Sequence, residues 1–338
     1  MELNSMYQPI SREMASLKES VKNEFSAVAG SLQLKDGPMT SYQGKNLRSA
    51  MFFLSYNIAN DGRKKAFEAN PEVIRIATAI ELMHSASLYH DDVIDNSKLR
   101  RSGTSANVLY GNARAVLLGD SLFAKAFYIL SKAGNNKIIE TLSGIAREMS
   151  LGEITHTVNN LYPGRSSMTE NEYYKIVEQK TASLFSGCCR CGALAGDAGE
   201  GILKALPEYG LKLGIAYQII DDFIDLVGNE KTAGKTLKSD STSGKFTLPI
   251  IYLQQELSRG GKILSEKYPR LLDIWQEHKE LQGNAIKKTI EKIQSYIREA
   301  KSSLTGIPES VYSKSLLGIA DYVNMGFQVN DGIKCLVA

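Results

Sequence analysis

The sequence has few of the features that mark several large classes of protein. Its 338 residues include only 8 prolines, and long stretches have none, which favours helix because proline interrupts helices. No run of about 18 apolar residues occurs, so we expect no transmembrane helix and no stable membrane insertion. The first residues, MELNSMYQPISREMASLK, carry acidic side chains and lack an apolar core segment, so we expect no secretory signal.

An excess of charge is also missing. The chain has 40 Lys and Arg against 37 Asp and Glu, and its net charge of +3 is too small to predict nucleic acid as a partner. With 43% hydrophobic and 23% charged residues, it has the composition of an ordinary globular protein. Any function of its basic residues must therefore be local.

Cysteine is scarce, and three of the four cysteines lie together in SGCCRCGALAG, at Cys188, Cys189 and Cys191. A zinc site needs a fourth ligand at suitable spacing, and no histidine or further cysteine lies near in the sequence. We therefore favour small side chains packed where helices meet over a metal site. Free thiols fit a reducing compartment, and we expect a cytoplasmic protein.

Helical periodicity is what the sequence does have, from end to end. Pro71 can open a helix in its first turn, and the following residues place an apolar stripe at the 3.6-residue period. The stripe runs through Ile76, Ile80, Met83, Ser87 and Asp91. Strand-like alternation is almost absent. We predict an all-α fold forming one large helical domain over residues 1–338, of which about 1–30 form an N-terminal helical segment.

Breaks in the pattern fall at 60–71, 161–169, 228–245 and 306–310. At the second break, Thr169 and Glu172 have the spacing of a capping box, which predicts a helix start. Segment 228–245 is long, basic and rich in glycine, and is interpreted either as a lid over a ligand or as a solvated surface loop. None of the breaks resembles a linker between independently folding halves.

Two acidic triplets are the most informative feature. The spacing D-D-x-x-D occurs in YHDDVIDNSKLRRS and again in YQIIDDFIDLVG, each time within an apolar helical pattern. Like charges this close are unfavourable unless a cation compensates them. Mg²⁺ prefers carboxylate oxygens and binds them together with substrate phosphates. The six acids therefore predict metal ions around a diphosphate: Asp91, Asp92, Asp95, Asp221, Asp222 and Asp225.

Basic residues lie at positions that could bind diphosphate directly. Arginine presents a fork of donors to phosphate oxygens, whereas lysine acts as a point charge. Each of these residues alone is more typical of a solvated surface, but together with the triplets they predict two diphosphate sites. The candidates are Lys45, Arg48, Arg100, Arg101, Lys180, Lys235 and Lys245.

These motifs make the chain resemble the trans-isoprenyl diphosphate synthases, which make all-trans polyprenyl diphosphates. The likeness runs from about Lys45 to Tyr322 and is carried by DDVIDNSKLRR and by DDFID followed by GKTLKSDSTSGKFTLP. It implies an all-α helical bundle around a deep central cavity, commonly a homodimer, in which the N-terminal segment packs on the core or on the dimer partner. It also implies three Mg²⁺ per active site.

The resemblance assigns roles residue by residue. Asp91, Asp95 and Asp221 match Mg²⁺ ligands, supported by Asp92, Asp222 and Asp225. The groups matching an allylic diphosphate site are Arg100, Lys180, Gln218, Lys235 and Lys245. Those matching an isopentenyl diphosphate site are Lys45, Arg48, His84 and Arg101. Thr181 matches a residue near the reacting carbons.

The implied reaction is ionisation of the allylic diphosphate, condensation with isopentenyl diphosphate and elimination of a proton. Lys180, Thr181, Lys235 and the metal-binding aspartates would carry it. The product chain would run along the helix that bears Asp91. Ala86 and Ser87, where short-chain relatives carry a bulky floor, are small here, with Met83 and Ile80 deeper. A product of six or more isoprene units is expected, typical of a respiratory quinone side chain.

The chain departs from the family pattern in one motif. Where the family usually has G-G-K-R-L-R-P, this chain has QGKNLRS, so that Gln43, Asn46 and Ser49 replace a glycine, an arginine and a proline. This predicts a weaker isopentenyl site or a loop of different shape. It also leaves room for a small non-catalytic partner subunit, which some long-chain relatives require.

Three other interpretations stay open. A bulky residue elsewhere would give a shorter, geranylgeranyl-length product. A non-catalytic subunit would keep the fold but typically lose aspartates from a triplet, and both triplets are intact here. A terpene cyclase would share the ionisation step but would not need Lys45, Arg48 and Arg101 for a second diphosphate.

Overall fold

The computed structural model describes residues 3–34, 44–60, 70–100, 103–161, 167–228, 245–259 and 271–328. Helices dominate this part of the chain, so the predicted all-α fold is confirmed. The helices are α1 (Leu3–Tyr7), α2 (Ser11–Ser31), α3 (Leu47–Asn60), α4 (Pro71–Ile94), α5 (Ala106–Tyr110), α6 (Asn112–Ala133), α7 (Asn136–Leu161), α8 (Glu170–Val177), α9 (Ser183–Ala195), α10 (Glu200–Val227), α11 (Leu248–Arg259), α12 (Leu271–Glu277), α13 (Lys279–Ser303) and α14 (Val311–Gln328).

Four short segments accompany these helices in the described structure. A 3₁₀ turn, Gln8–Ile10, joins α1 to α2, and a π-helical turn, Glu178–Ala182, joins α8 to α9. Two-residue strands β1 (Leu99–Arg100) and β2 (Gly103–Thr104) pair antiparallel after α4.

The chain divides into two compact units. Unit 1 comprises 1–146, 187–207 and 306–318, and unit 2 comprises 147–186, 208–305 and 319–338. Four of the five boundaries fall inside α7, α9, α10 and α14, so these helices contribute residues to both units, and the fifth falls between α13 and α14. The single domain over 1–338 stays a prediction.

Helix α4 is the central helix of unit 1. It packs mainly against α6 and also against α2, α3 and α5. Ile76, Ile80 and Met83 of the predicted stripe are fully buried, but so are Ala79 and Leu82 on other sides of the helix. A helix surrounded by neighbours needs apolar residues all round and not one stripe. This surrounded helix carries the first acidic triplet at its C-terminal end.

The two helix starts that local sequence signals predicted, those of α4 and α8, are both observed. Pro71 occupies the first turn of α4, where the preceding Asn70 accepts a hydrogen bond from the backbone N–H of Glu72. Thr169 and Glu172 form the reciprocal capping box at the start of α8. The break at 306–310 separates α13 from α14.

The N-terminal segment is helical, and α2 packs on α4, α3 and α6 within unit 1. Its side chain Leu17, like Ile10 in the turn before it, is completely buried. This segment therefore forms part of the core of its own unit.

The three clustered cysteines are buried on α9 and are free thiols. Burial raises the pKa of Cys189 to about 12 and raises the pKa values of Cys188 and Cys191 as well. Thiols that stay protonated are poor metal ligands and poor nucleophiles. The packing interpretation of this cluster therefore agrees with its surroundings.

Close packing between α9 and α3 explains the small residues here. A side chain at Gly192 would place its Cβ 2.3 Å from the backbone oxygen of Phe52 and 2.8 Å from Cβ of Ser55. Glycine lets the two helix backbones approach each other at this point.

Unit 2 contains α8, α11, α12 and α13. Helix α11 packs against α13, α12 and α8. The hydroxyl of Tyr252 on α11 donates a 2.7 Å hydrogen bond to Glu170 at the start of α8. Lys292 on α13 lies 3.4 Å from the same carboxylate. These contacts fix the position of α8, which leads directly into the π-helical turn.

In the part of the chain that the structure describes, no helix combines the length and the apolar character needed to cross a bilayer.

The close approach at Gly192 gives a test of the fold. We expect Gly192→Ala to lower the free energy of unfolding by about 1–3 kcal/mol, because the added methyl group meets backbone atoms that cannot move aside cheaply. Urea denaturation followed by circular dichroism measures this change. Gly144→Ala on α7 is the control, since nothing lies within 4 Å of its new methyl group. We expect Gly144→Ala to be neutral or to stabilise by about 0.5–1 kcal/mol. Equal behaviour of the two variants would contradict the close packing.

Candidate active site

The first acidic triplet lies at the C-terminal end of α4 in unit 1. Asp91 is partly exposed, Asp92 is completely buried and Asp95 is exposed. The backbone N–H of Asp95 donates to the oxygen of Asp91 over 2.8 Å, which closes the last turn. The helix thus presents Asp91 and Asp95 outward while Asp92 points into the protein.

Asp92 is held by a buried ion pair. Arg100 on β1 donates from Nε to Oδ1 of Asp92 over 3.0 Å, and its Nη2 contacts the same oxygen. The backbone oxygen of Asp92 accepts from the side chain of Asn107, at 3.2 Å, and from the N–H of Ser97, at 2.9 Å. Asp92 therefore anchors the hairpin that brings Arg100 to the end of α4.

Arg48 and His84 lie together, as their proposed shared role requires. Arg48 Nη1 is 3.0 Å from Nε2 of His84. Because a guanidinium can only donate, Nε2 accepts and His84 is neutral with its proton on Nδ1. Arg48 comes from the first turn of α3 and His84 from the middle of α4, so helix packing brings together residues distant in sequence.

The departures from the family motif have structural roles in this chain. Asn46 has a φ of 51°, in the left-handed region that asparagine tolerates better than most residues. Its backbone oxygen accepts the N–H of Ala50 over 2.9 Å. Ser49 donates a 2.5 Å hydrogen bond to buried Glu81 on α4. Gln43 lies outside the described residues. Asn46 therefore forms part of the turn before α3, and Ser49 links the first turn of α3 to α4.

Lys45 is exposed just before α3. Its backbone oxygen accepts a 2.7 Å hydrogen bond from the hydroxyl of Tyr7 on α1. The N-terminal segment therefore helps to fix the stretch of chain that carries Lys45.

The second triplet lies near the C-terminal end of α10, in unit 2. Asp221 is exposed, whereas Asp222 and Asp225 are buried. Oδ2 of Asp222 accepts a 2.6 Å hydrogen bond from Tyr173 on α8, and Oδ1 accepts a 2.7 Å bond from Gln218. As in the first triplet, one acid is buried among donors and another faces outward.

The hydrogen-bond chain continues from Gln218 to Thr181. The Thr181 hydroxyl donates to Oε1 of Gln218 over 2.7 Å, which orients the amide so that its NH₂ reaches Asp222. Thr181 belongs to the π-helical turn, a local widening that is frequent at functional sites. Thr181, predicted near the reacting carbons, and Gln218, predicted at the allylic diphosphate, are thus linked directly.

Lys180 in the same turn pairs with Glu153 on α7. Lys245, which precedes α11, is buried with 8% of its surface exposed. The positive charges of both lysines help to lower the pKa of His156 on α7. Two predicted diphosphate ligands therefore lie near one another in unit 2.

Some predicted site residues cannot be placed. Arg101 and Lys235 lie outside the residues that the structure describes, as do 229–244 of the predicted lid segment. The roles assigned to these residues stay predictions.

The acids fit Mg²⁺ by their chemistry. Asp91 and Asp95 are four apart on one helix and offer hard oxygen ligands. Within the described ranges, no three His, Cys, Asp or Glu side chains are arranged to hold a metal by themselves. Mg²⁺ usually takes one or two carboxylates and completes its shell with phosphate oxygens and water. The donors around Asp92 and Asp222 suit these two acids to supporting positions, and a direct metal bond from either stays a prediction.

Comparison with known proteins identifies the family. The family model for polyprenyl synthetase matches residues 37–292. The chain belongs to the polyprenyl synthetase family. It is a prenyltransferase, as the sequence predicts.

The relatives of this chain are named for products of different length. The chain is 31% identical to decaprenyl-diphosphate synthase subunit 1 of Schizosaccharomyces pombe, over 75% of this chain and 68% of the relative. It is 32% identical to a geranylgeranyl diphosphate synthase of Methanosarcina mazei, over 83% of this chain and 85% of the relative. Membership of the family therefore leaves the chain length undecided.

A solved structure has the same fold. A polyprenyl synthase from Caulobacter crescentus, complexed with calcium and isoprenyl diphosphate, matches with a TM-score of 0.80 and 27% identity. The match covers 96% of this chain and 97% of that chain. A divalent metal and an isoprenyl diphosphate thus bind to a protein of this fold.

Several residues of the site were missed by sequence reasoning. They are Tyr7, Glu81, Glu153, His156 and Tyr173. Apart from His156, whose Nδ1 has no hydrogen-bond partner among the described residues, each lies far in sequence from the group that it contacts. Only His156 and Glu153 carried a signal, because they are charged or ionisable residues three apart on a helix.

The buried bond to Asp222 can be tested by removing its donor. We expect Tyr173→Phe to lower the free energy of unfolding by about 1.5–3 kcal/mol, since a buried carboxylate loses a donor that water cannot replace. Chemical denaturation measures the change. Tyr128→Phe is the control, because Tyr128 is exposed, and its expected effect is within about 0.5 kcal/mol. A loss as small in Tyr173→Phe as in the control would contradict this role.

Proposed function

We propose that this chain is a polyprenyl diphosphate synthase that condenses isopentenyl diphosphate with an allylic diphosphate in the presence of Mg²⁺. The product has six or more isoprene units and serves as the side chain of a respiratory quinone. The observation that carries this proposal is the pair of acidic triplets, each with an outward carboxylate and a buried, hydrogen-bonded one.

The first chemical step breaks the bond between the allylic carbon and its diphosphate. Asp91, Asp95 and Asp221 would hold Mg²⁺, in the proposed total of three ions, and the metal would supply charge neutralisation for the leaving group. Lys180 and Lys245 add positive charge beside the departing pyrophosphate. Thr181 orients Gln218 for this site, because its hydroxyl donates a hydrogen bond to the side-chain oxygen of Gln218.

The second step joins the two substrates. The double bond of isopentenyl diphosphate attacks the allylic cation, and a proton is then lost to the departed pyrophosphate. Lys45, Arg48 and His84 hold the diphosphate of isopentenyl diphosphate. The neutral ring of His84 accepts a hydrogen bond from Arg48 and so orients it. Because the departed pyrophosphate takes the proton, the step needs no protein base or nucleophile.

The length of the prenyl product depends on the residues of α4 that lie N-terminal to Asp91. Ala86, Met83 and Ile80 are completely buried, and Ser87 is partly exposed with its hydroxyl bonded to the oxygen of His84. Of these four residues, the two nearest the triplet, Ala86 and Ser87, are small, which supports a long product. A geranylgeranyl-length product is the second candidate, and the similarity to a synthase of that kind favours it.

Partners are proposed on separate grounds. Exposed apolar residues on α5 and α6, including Leu109, Leu117 and Tyr128, support a homodimer. The similarity to a protein named as subunit 1 of a decaprenyl synthase supports the alternative of a small second subunit. The free, buried cysteines support a cytoplasmic location.

A product assay tests the function. We expect the purified chain alone, given isopentenyl diphosphate, farnesyl diphosphate and Mg²⁺, to form products of six or more units, sized by chromatography after dephosphorylation. Products that stop at four units would favour the shorter-chain candidate. No product would point to a missing subunit or a non-catalytic protein.

Matched variants link this activity to the second triplet. We expect Asp221→Asn to lower turnover by about a hundredfold or more, because charge stabilisation at the leaving group is worth several kcal/mol. Glu208→Gln removes an exposed acid from the same helix, outside the triplet, and is expected to keep the activity. Equal turnover in the two variants would count against the proposed role.

A bulky residue near the triplet tests the path of the product. We expect Ser87→Phe to shorten the main product by at least one isoprene unit, since one helical turn spans about 5.4 Å. Leu88→Phe adds an aromatic ring one position away, on a different face of α4, and is expected to leave the product length unchanged. Chromatographic sizing of both product sets decides, and identical distributions would contradict the proposed path.

A further inference from the structure

His156 on α7 is an ionisable residue that the proposed mechanism does not use. Its Nδ1 is closed off from solvent and has no hydrogen-bond partner among the described residues. Other parts of the residue are partly exposed, so the ring is enclosed but not inaccessible. A buried polar atom without a partner is unfavourable, which indicates that something else satisfies it in the working protein.

The surroundings of His156 are basic. Lys180, from the π-helical turn, and Lys245, before α11, both act on its ring electrostatically. The pKa of His156 falls well below its usual value, first because burial disfavours the charged form and then because these two lysines repel it. The histidine is therefore neutral at neutral pH while nothing anionic is bound.

Packing explains why His156 is brought to this place. Gly152 lies against the π-helical turn so closely that a Cβ would sit 2.7 Å from the backbone nitrogen of Lys180. Glu153, one residue on, pairs with the Lys180 side chain. His156 follows Glu153 by three residues and so lies on the same face of α7.

We propose that Nδ1 of His156 donates a hydrogen bond to the diphosphate that Lys180 and Lys245 hold. The inference rests on the proposed function, which makes these two lysines ligands of the allylic diphosphate. The diphosphate supplies the acceptor that Nδ1 lacks, and its negative charge replaces the repulsion from the lysines by attraction. His156 then takes up a proton as the diphosphate binds.

Proton uptake fixes the sign of the pH dependence. In the empty site the pKa of His156 is lowered, and a bound anion raises it again. Between the two values the bound form carries one proton more, so the contribution of His156 to affinity grows as the pH falls. Among the described residues, Lys180 and Lys245 act directly on the ring, and the acidic Glu153 pairs with Lys180.

The test uses the full chain with inorganic pyrophosphate and Mg²⁺, and measures the dissociation constant by calorimetry between about pH 6.5 and 8, the range around the ordinary pKa of histidine. We expect His156→Phe, which keeps a ring but has no donor, to weaken binding by about tenfold or more, the usual effect of losing a hydrogen bond to a charged group. Thermal unfolding of the variant checks that it is folded.

A second variant separates hydrogen bonding from titration. His156→Gln keeps a neutral donor, so we expect it to recover much of the affinity at the upper end of this pH range but to lack the extra gain of the unchanged chain at the lower end. Pyrophosphate itself titrates in this range, and comparing the two proteins at each pH removes that effect. His278→Gln is the control, since His278 lies at the start of α13 beside Glu280, and it should behave like the unchanged chain.

The outcomes also separate this inference from the proposed function. Equal affinity of His156→Phe and the unchanged chain, or an unchanged pH response in His156→Gln, would overturn the role of His156 even if the chain makes polyprenyl products. Pyrophosphate binding that depends on His156, in a chain that forms no product, would support the inference and remove the proposed synthase activity.

Discussion

The cost of burying a carboxylate governs the arrangement of both acidic motifs. Each triplet sits near the end of an apolar helix, so at least one of its acids is carried into the protein interior. A buried charge is tolerated only when it is paired and hydrogen-bonded. Asp92 therefore brings Arg100 to the end of α4, and Asp222 gathers Tyr173 and Gln218. The outward acids beside them depend on these buried anchors for their position.

The same requirement extends from the carboxylates to the residues proposed for catalysis. Gln218 can serve Asp222 only in one orientation of its amide, and the Thr181 hydroxyl selects that orientation. The neighbouring Lys180 is paired with Glu153, so its charge is also balanced inside the protein. These internal contacts join the proposed diphosphate ligands to α7 and to the π-helical turn.

Substitutions within the motif preceding α3 follow local backbone demands. Asparagine at position 46 suits the left-handed conformation there, and serine at 49 gives buried Glu81 a hydrogen-bond donor that proline could not offer. Lys45 and Arg48 keep their places beside this altered turn, and the Tyr7 hydroxyl secures the backbone of Lys45. The chain thus changes the frame of the proposed isopentenyl site while retaining its cations.

The sequence by itself determined the helical class of the fold and predicted which residues could carry the chemistry. Proline scarcity and helical periodicity predicted an all-α protein, and local hydrogen bonding fixed the starts of α4 and α8 near Pro71 and Thr169. Repetition of D-D-x-x-D predicted the six candidate metal-binding acids, because that spacing is local. Tertiary structure decided which acid of each triplet is buried, how Tyr173 and Arg100 are used, and where His156 lies. Such contacts join residues that are distant in sequence, or depend on which side of a helix is covered, and neither follows from spacing along the chain.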